Sequence, residues 1–532
     1  MHNRVAISFF SLMVIFGILI LNIFFTGIDL DIAETAQTAN KKSVTLDTSR
    51  GMIYDANGQK LVNSQNYNIT VCLPLSENTE KVFPYLSSDE KNEFYDNMSK
   101  GKVNILSINQ NFNDDTIKTV TLSKRYADNQ TCVHIIGHLD SENSGAMGLE
   151  KAYNSYLSQN SGTMNARWSV NALGHIIHGE KLEFSSENYL SPAGIQLTID
   201  LNFQKIAESV LVENNVTKGA VVIMNSDTAE ILASASVPTF NPNKLELSID
   251  DINEPFVNRA TSAYSVGSVF KPIIASVAIE NNIDLTYNCV GCITIGGRKF
   301  SCNNGVAHGL VNMETATAKS CNSYFIALGQ KIGAERIISL CENLGFNQAT
   351  EIADNYSIQA GFLPSIQDIS SPQDLANLSF GQGKLLISPI QMACVYSVFA
   401  NGGYYREPTL MKAIIDKDGN AIQKVQLPDK CQVLNNSTVK SIDKYLKGVV
   451  EIGSGYRAHS DLVIGHGKTA TAQSGWFDDG REIMHTWFCG YFDYNDTTYT
   501  IVIFKEDGKT GAEDCAPIFK HIAERIVELK QQ

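Results

Sequence analysis

The stretch SVGSVFKPIIASVAIE, residues Ser265–Glu280, places a serine and a lysine three positions apart at the start of an apolar segment. If a helix begins at Ser268, the side chains of Ser268 and Lys271 share one of its faces. A serine hydroxyl needs a base beside it to act as a nucleophile, and a lysine with a lowered pKa can be that base. The pair is therefore a candidate nucleophile and base, although an N-cap serine followed by a surface lysine fits the same pattern.

A second hydroxyl follows in TAKSCNSYFIALGQKIG, residues Thr317–Gly333. Ser320 and Asn322 stand two positions apart, and in a loop between helices both side chains can face one cleft. The hydroxyl can then relay a proton between a lysine and a leaving group, while the amide binds a substrate carbonyl. A helix cap, which serine and asparagine also favour, is the alternative.

A lysine without a neighbouring acid lies among small residues in GHGKTATAQ, residues Gly465–Gln473. On a strand at the edge of a cleft, Lys468 and Thr469 would bind a substrate carboxylate, and the cation would help to keep Lys271 neutral. A solvated lysine on a strand is the alternative interpretation.

The chain has 532 residues, a net charge of -14 and an uncharged apolar run from Val5 to Ile28. This length favours two or more domains, and the acidic balance argues against a nucleic-acid partner. As a helix the run would be roughly 36 Å long, which spans a bilayer. Arg4 precedes the run while Asp29 follows it, so the positive-inside rule puts the N-terminus in the cytoplasm. We favour an uncleaved anchor over a cleaved signal peptide.

The order of secondary-structure patterns indicates an α+β fold. Thr48–Val62 looks like a hairpin, and Gly219–Asn243 reads as two strands around a polar turn. Helical patterns dominate from 265 to 400, strands return after Gly403, and a final helix covers Ile518–Lys530. Strands, then helices, then strands and a last helix predict a domain with an antiparallel sheet.

Cysteines and a histidine cluster between the first two motifs, with the spacing C-x2-C-x9-C-x5-H. Three thiolates and one imidazole make a complete tetrahedral zinc shell, which would be structural because no position is left for water. A disulfide between two of the thiols and simple burial without a role are the alternatives. The candidate ligands are Cys289, Cys292, Cys302 and His308.

The three motifs together resemble penicillin-recognising serine enzymes, in which S-x-x-K, S-x-N and K-T-small follow in this order. Here the gaps are about 50 and about 145 residues. The resemblance extends to class B penicillin-binding proteins over nearly the whole chain after the apolar run. The stretches that carry it are NRATSAYSVGSVFKP, AHGLVNMETATAKSCNSYF, LSFGQGKLLISPIQMA, FANGG, SRGMIYDANGQKLV and GLEKAYNSYL.

The resemblance implies an α+β architecture in three parts. An N-terminal transmembrane helix leads to an elongated, mostly-β pedestal module. A transpeptidase domain follows, with a central antiparallel sheet flanked by helices and an all-helical subdomain. The implied limits are a cytoplasmic tail 1–4, an anchor 5–28, a pedestal 29–195 and a transpeptidase domain 196–532.

The resemblance also assigns functions to individual residues. Ser268 would attack the penultimate D-alanine carbonyl of a peptidoglycan stem peptide, with Lys271 as its base, and β-lactams would acylate the same serine. Backbone N–H groups of Ser268 and Thr471 would form the oxyanion hole. The residues that would complete the motifs and bind substrate are Ser320, Asn322, Lys468, Thr469 and Thr471.

Partners and rival functions follow from the same resemblance. It implies peptidoglycan, the cytoplasmic membrane and a polytopic glycosyltransferase as partners, with no cofactor for catalysis, and some relatives hold a structural zinc near the active site. A β-lactamase or D,D-carboxypeptidase would share the three motifs, and a silent scaffold or β-lactam sensor would keep Ser268 without turnover. We favour a wall-building transpeptidase because of the long N-terminal module and the apolar run.

One residue departs from the family pattern. The third motif usually has glycine where this chain has Ala470. With Thr469 facing the cleft, the methyl group of Ala470 faces the other side of the strand. A strand shifted slightly by this methyl group would leave the enzyme active but slow its acylation by some β-lactams; the alternative is that the alanine is simply accommodated.

Overall fold

The structure, a computed structural model, describes residues 2–28, 40–171, 173–177, 179 and 181–531. The chain divides into two compact units that interleave in sequence. The second unit contains 51–64 and 126–160, which the sequence analysis placed within the pedestal. The first unit comprises Met1–Arg50, Gln65–Arg125 and Ser161–Ser191, and the second comprises Gly51–Ser64, Tyr126–Asn160 and Pro192–Gln532.

The N-terminal apolar run forms a helix, His2–Ile28. Its segment Arg4–Phe25 has a mean hydropathy of 2.5 and is long and apolar enough to cross a membrane. Phe9, Phe16 and Phe24 are among the many apolar side chains of this helix that are exposed. A helix satisfies its own backbone hydrogen bonds, so a segment of this kind suits a hydrocarbon environment.

The remainder of the first unit is built mainly from two three-stranded antiparallel sheets. Apolar residues of both sheets, including Val71, Leu122 and Ala166, share one buried core. The strands are Lys41–Ser49, Gly162–Ser169 and Glu183–Glu187 in one sheet and Asn104–Leu106, Gln65–Cys72 and Ile117–Lys124 in the other. The helices are Ser76–Val82 and Ser88–Ser99, with a 3-10 turn at Phe83–Tyr85.

A five-stranded antiparallel sheet lies at the centre of the second unit. We label its strands β1 to β5 in chain order, and their spatial order is β2-β1-β5-β4-β3. In β1, Val222 contributes to one hydrophobic core and Val221 to the other, because successive side chains point to opposite faces. The strands are Gly219–Asn225, Ile231–Val237, Gly465–Asp478, Arg481–Tyr494 and Thr497–Lys505.

Helices cover both faces of this sheet, so the predicted α+β class is confirmed. Pro389–Ala400 packs against one face, and Leu201–Glu213 and Ala516–Gln531 pack against the other. The helix Pro389–Ala400 is capped by Ser388, whose hydroxyl accepts a hydrogen bond from the Gln391 N–H. The other α-helices of the unit are Val133–Ile136, Gly148–Ala152, Asn154–Gln159, Lys271–Glu280, Met313–Ala318, Asn322–Ile332, Ala334–Asn343, Pro372–Ser379, Asn436–Glu451 and Gly511–Asp514.

Short strands complete the second unit. The predicted hairpin at 48–62 forms a short turn, with an antiparallel bridge between Tyr54 and Lys60 and backbone hydrogen bonds from the Asp55 N–H to Gln59 and from the Leu61 N–H to Ile53. Its strand Met52–Tyr54 also pairs with Gly194–Leu197. The latter strand also pairs with Met411–Ile415, which pairs with Ala421–Lys424. The two-stranded pairs are Tyr264–Ser265 with Leu386–Ile387, Tyr287–Cys289 with Gly309–Val311, Cys292–Ile295 with Arg298–Ser301, Glu351–Ala353 with Tyr356–Ser357, and Tyr404–Arg406 with Lys430–Gln432. Short 3-10 turns occur at Leu245–Leu247, Gly267–Phe270, Asn303–Gly305 and Tyr456–Ala458.

The small residues of β3 allow close packing at the edge of the sheet. A Cβ atom at Gly467 would lie 2.5 Å from the ring of Phe488 on β4, which would force the two strands apart. Ala470 and Ala472 are buried on the face of β3 that meets the turn carrying Ser268. Side-chain size along this strand therefore sets how near the strand comes to the candidate nucleophile.

Candidate active site

Ser268 lies in a 3-10 turn, Gly267–Phe270, that leads directly into the helix Lys271–Glu280. Gly267 has a φ of +65°, and a Cβ atom there would lie 3.1 Å from the Cβ of Ala472 and 3.3 Å from the Cβ of Ala470. Both the backbone conformation and the space favour glycine at this position. The turn holds the half-buried Ser268 beside β3.

Lys271 is completely buried, and its Nζ donates three hydrogen bonds into the second motif. The acceptors are the Ser320 carbonyl at 2.8 Å, the Ser320 Oγ at 3.1 Å and the Asn322 Oδ1 at 2.7 Å. Burial disfavours the ammonium form and lowers the pKa of Lys271 to about 7. The side chain can therefore lose its proton near neutral pH.

Ser320 joins the first motif to the third. It lies between the helices Met313–Ala318 and Asn322–Ile332 with a left-handed φ of +53°. Its Oγ accepts hydrogen bonds from Lys271 and also from the Nζ of Lys468, at 3.0 Å. Lys468 is completely buried; burial, and then the neighbouring Lys271, lower its pKa well below the usual value. The structure thus brings both predicted lysines to one hydroxyl.

The two threonines of the third motif contact different parts of the second unit. The Oγ1 of Thr469 lies 3.1 Å from the Oγ of Ser454, and the Oγ1 of Thr471 accepts a hydrogen bond from the Gly511 N–H at 3.3 Å. The Ser454 N–H donates to the carbonyl of Ala318, two residues before the second motif. Ser454 was not among the residues predicted from the sequence; its position in a short G-S-G loop was the available signal.

Asn322 connects the lysines to a neighbouring hairpin. Its Oδ1 accepts from Lys271, and its Nδ2 donates to the carbonyl of Ser301 at 3.0 Å. We call the segment of strands Cys292–Ile295 and Arg298–Ser301 the cleft hairpin. It borders a cleft of about 590 Å³ that reaches Asn322. The cleft residues are Arg298, Lys299, Phe300, Ser301, Asn303, Asn322, Asn377, Phe380, Gln382, Gly383, Gln473, Ser474, Gly475 and Glu482.

Three cysteines and a histidine meet next to the cleft hairpin. The Cys289 Sγ lies 3.6 Å from the Cys302 Sγ and 3.5 Å from the His308 Nδ1. The fourth member is Cys321, whose Sγ lies 3.8 Å from that of Cys302. Cys292 does not belong to this group. The structure therefore gathers three of the four predicted ligands and replaces Cys292 by a residue of the second motif.

The separations in this cluster fit a tetrahedral zinc site. Zn–S bonds of about 2.3 Å place the sulfur atoms of such a site about 3.8 Å apart. Hydrogen bonding from Cys321 lowers the pKa of the Cys302 thiol to about 4, and the same contact raises the pKa of Cys321, so the pair favours one thiolate, on Cys302. All eleven cysteines lie within the described residues and are free, and a disulfide would need sulfur atoms about 2.05 Å apart.

Cys321 was missed because it stands between the two motif residues Ser320 and Asn322 and reads as a spacer. Its Sγ also accepts a hydrogen bond from the Tyr324 N–H and so caps the helix that begins at Asn322. The available signal was a further cysteine 13 residues after His308.

The fold and the site together define a class of protein. A serine at a helix start, a buried lysine of lowered pKa and a second lysine on the edge strand of an antiparallel sheet form the arrangement expected of penicillin-recognising enzymes. The sequence profile of the family described as "Penicillin binding protein transpeptidase domain" matches residues 219–524, more than half of the chain. The protein belongs to this family.

Similar proteins support the resemblance to class B members. The chain is 27% identical to the stage V sporulation protein D of Bacillus subtilis, over 92% of this chain and 80% of that protein. It is 22% identical to the peptidoglycan D,D-transpeptidase MrdA of Haemophilus influenzae, over 98% of this chain and 91% of that protein. A chain from the solved structure of a peptidoglycan synthase complex matches with a TM-score of 0.69 and 21% identity, covering 97% of each chain.

Proposed function

We propose that the protein is a peptidoglycan D,D-transpeptidase that works through an acyl-enzyme on Ser268 and is acylated by β-lactams at the same serine. One observation carries the proposal: the Ser320 hydroxyl accepts hydrogen bonds from Lys468 and from Lys271, the residue that directly follows the turn holding Ser268. Membership of the transpeptidase family and the similarity to MrdA support it.

In the acylation step, neutral Lys271 removes the hydroxyl proton of Ser268. The serine Oγ forms a bond to the penultimate D-alanine carbonyl, and the N–H groups of Ser268 and Thr471 stabilise the oxyanion. The proton passes from Lys271 through Ser320 to the nitrogen of the terminal D-alanine, the C–N bond breaks, and this D-alanine leaves. Lys468 and Thr469 bind the terminal carboxylate, and Asn322 binds a backbone amide of the donor stem.

In the transfer step, an amine of a second stem peptide attacks the ester carbon. Ser320 and Lys271 accept the proton that the amine loses, a new amide bond forms, and the Ser268 hydroxyl is restored with a proton. Water in place of the amine would release a carboxypeptidase product. A β-lactam follows the acylation step with cleavage of its ring amide in place of the D-alanine bond.

Labelling with a fluorescent penicillin tests the proposal. The purified protein is mixed with the reagent beside Ser268→Ala, and intact mass and the fate of the drug are recorded. We expect a stable adduct that is absent in Ser268→Ala. Hydrolysed drug without an adduct would identify a β-lactamase, and intact drug without an adduct would identify a silent scaffold.

We also infer that Cys289, Cys302, Cys321 and His308 hold a structural zinc ion. The support is the separation of their donor atoms and the thiolate character of Cys302. Four protein ligands leave no position for a reacting water, so the ion would fix the cleft hairpin and the second motif without taking part in the chemistry. The proposed ligand set replaces Cys292 by Cys321.

We propose that the N-terminal helix anchors the protein in the cytoplasmic membrane. The helix His2–Ile28 would anchor the protein with residues 1–4 in the cytoplasm and 29–532 outside. In sequence order we keep 29–195 as the pedestal and 196–532 as the catalytic domain, although segments 51–64 and 126–160 pack with the second compact unit. The match to a chain of a peptidoglycan synthase complex supports a membrane-embedded glycosyltransferase as partner. Co-purification of such an enzyme with the full chain, lost when 2–28 is replaced by an unrelated anchor, tests this.

A further inference from the structure

The cleft hairpin presents two adjacent cations, Arg298 and Lys299, to the cleft that continues from Asn322. Both side chains are exposed, on a protein whose net charge is -14. A pair of cations at the wall of a concave surface raises the local concentration of anions even when the whole molecule is acidic. The active site uses neither residue in the steps described above.

The acidic residue of the cleft is held by other groups. Glu482 accepts a hydrogen bond from the Gln473 side chain at 2.8 Å and another from the Gly475 N–H at 3.1 Å. These two hydrogen bonds hold the Glu482 carboxylate against the hairpin between β3 and β4. The charged lining of the described cleft is therefore two cations, Arg298 and Lys299, against one hydrogen-bonded carboxylate, which leaves it net positive.

The position of the cations is fixed by the fold. The Gln373 Nε2 donates to the Gly296 carbonyl at the turn of the cleft hairpin, and the Asn322 Nδ2 donates to the Ser301 carbonyl at its end. The guanidinium group of Arg298 lies 5.1 Å from the ring centre of the buried Phe300, which restricts it further. The cations are therefore presented by a braced element and not by a free loop.

The distance along the cleft identifies which part of a substrate they can reach. Arg298 is three residues from Ser301, which is about 10 Å along a strand at about 3.3 Å per residue. An extended peptide held at Asn322 covers the same distance in about three residues. A carboxylate about three residues before the D-alanine at Asn322 would reach the two cations.

We propose that Arg298 and Lys299 form a subsite for a free carboxylate of the donor stem peptide, on the N-terminal side of its D-alanines. This inference rests on the proposed transpeptidase function. The protein would then select acidic stems over stems in which that carboxylate is amidated. The subsite makes ion pairs at an exposed position, so the preference is modest and weakens as salt concentration rises.

A pair of covalent probes tests the subsite with the full-length protein in detergent. Two cephalosporins carry the same peptide-like side chain, one with a free carboxylate at the stated distance from the ring and one with the amide. The measured quantity is the ratio of the acylation rate constants of the two probes. A variant that contains less active protein therefore gives the same ratio. We expect a ratio of about five for the wild type, falling towards one at high salt.

Charge variants decide the outcome. The double variant Arg298→Glu/Lys299→Glu should bring the ratio below one, and Arg298→Gln/Lys299→Gln should bring it to about one. The control Lys424→Glu changes an exposed strand residue that does not line the cleft, and it should leave the ratio at the wild-type value. A wild-type ratio of one, or a ratio that does not change in the first two variants, would overturn the subsite. If one of these results is obtained while fluorescent penicillin still labels the wild type, the subsite proposal has failed and the transpeptidase proposal has not. If neither probe nor penicillin acylates Ser268, the transpeptidase proposal has failed as well.

Discussion

Ser320 stands between two lysines that cannot both carry a charge at low cost. Burial lowers the pKa of Lys271 to about 7, and burial together with Lys271 lowers the pKa of Lys468. A substrate carboxylate would restore the charge on Lys468, because an opposite charge favours the ammonium form. Repulsion from that ammonium would then keep Lys271 neutral. Substrate binding would in this way activate the base.

The pKa of Lys271 gives a pH dependence with a definite sign. The base is active only when neutral, so the acylation rate constant should rise about tenfold per pH unit below about pH 7 and level off above it. The measurement is fluorescent-penicillin labelling of the wild type as a function of pH. Lys271→Arg is the matched control, since arginine stays protonated and should label poorly at every pH. A wild-type rate that is flat from acid to neutral pH contradicts this assignment.

Ala470 offers a test of how closely β3 must approach Ser268. Its methyl group is buried on the face that meets Gly267, the residue before Ser268. We expect Ala470→Gly to raise the acylation rate constant of some β-lactams by about two- to five-fold, through a strand shift of a fraction of an ångström. Ala472→Gly removes a methyl group that lies still closer to Gly267 on the same face, so a rise in that variant as well would assign the effect to the spacing between β3 and the turn. Unchanged rates in Ala470→Gly would refute the hypothesis.

The sequence predicted the motif residues better than it predicted their neighbours. Ser268, Lys271 and Lys468 could be found because their spacing and order match a family pattern. Ser454 and Cys321 were harder to find, because the family pattern specifies neither residue and their contacts form only when neighbouring elements pack together. Ser454 reaches Thr469 only after the helix Asn436–Glu451 and β3 have packed together. No local pattern encodes such a contact.

The cleft hairpin and the cysteine cluster behave as one structural element. The hairpin itself was predictable, because apolar residues flank a Gly296–Gly297 turn in which both residues have positive φ. The attachment of the hairpin to the second motif was not predictable from the sequence. For the same reason, the presence of Cys321 in the cluster in place of Cys292 was not predictable. Cys292 is half-buried on the hairpin strand and lies outside the group whose donor atoms are within 4.8 Å of one another.

Two single substitutions distinguish the predicted ligand sets. Cys321→Ser should lower the zinc content of the purified protein to a small fraction and lower the melting temperature by several degrees, because a closed zinc site stabilises the folded state. Cys292→Ser should keep the metal. Zinc is measured by elemental mass spectrometry, and melting by calorimetry. Zinc retained in Cys321→Ser but lost in Cys292→Ser would restore the set expected from the sequence.

The division of the whole chain follows contacts and not sequence order. Segments 51–64 and 126–160 belong to the same unit as residues 192–532, although 65–125 lies between them in sequence. A reading along the sequence assigns contiguous domains, and it therefore gave all of 29–195 to one module. The pairing of Met52–Tyr54 with Gly194–Leu197 depends on residues about 140 positions apart, which composition does not reveal.

The membrane placement is tested on the full chain. Alkaline phosphatase, which folds to an active enzyme only outside the cytoplasm, is fused to the C-terminus after Gln532. We expect high phosphatase activity in the membrane fraction, because Arg4 should hold the N-terminus inside. The same fusion lacking residues 2–28 should be inactive. High activity in the deletion, or none in the full chain, would contradict the proposed topology.

The position of Cys321 between Ser320 and Asn322 has a pharmacological consequence. A compound that captures the clustered thiols would act on the residue between Ser320 and Asn322, without reacting at Ser268. Substitutions that slow the reaction of a β-lactam with Ser268 would not block this second route. Drugs of the two kinds would therefore share no simple mode of resistance, and the cysteine cluster is a separate point of attack on the same reaction.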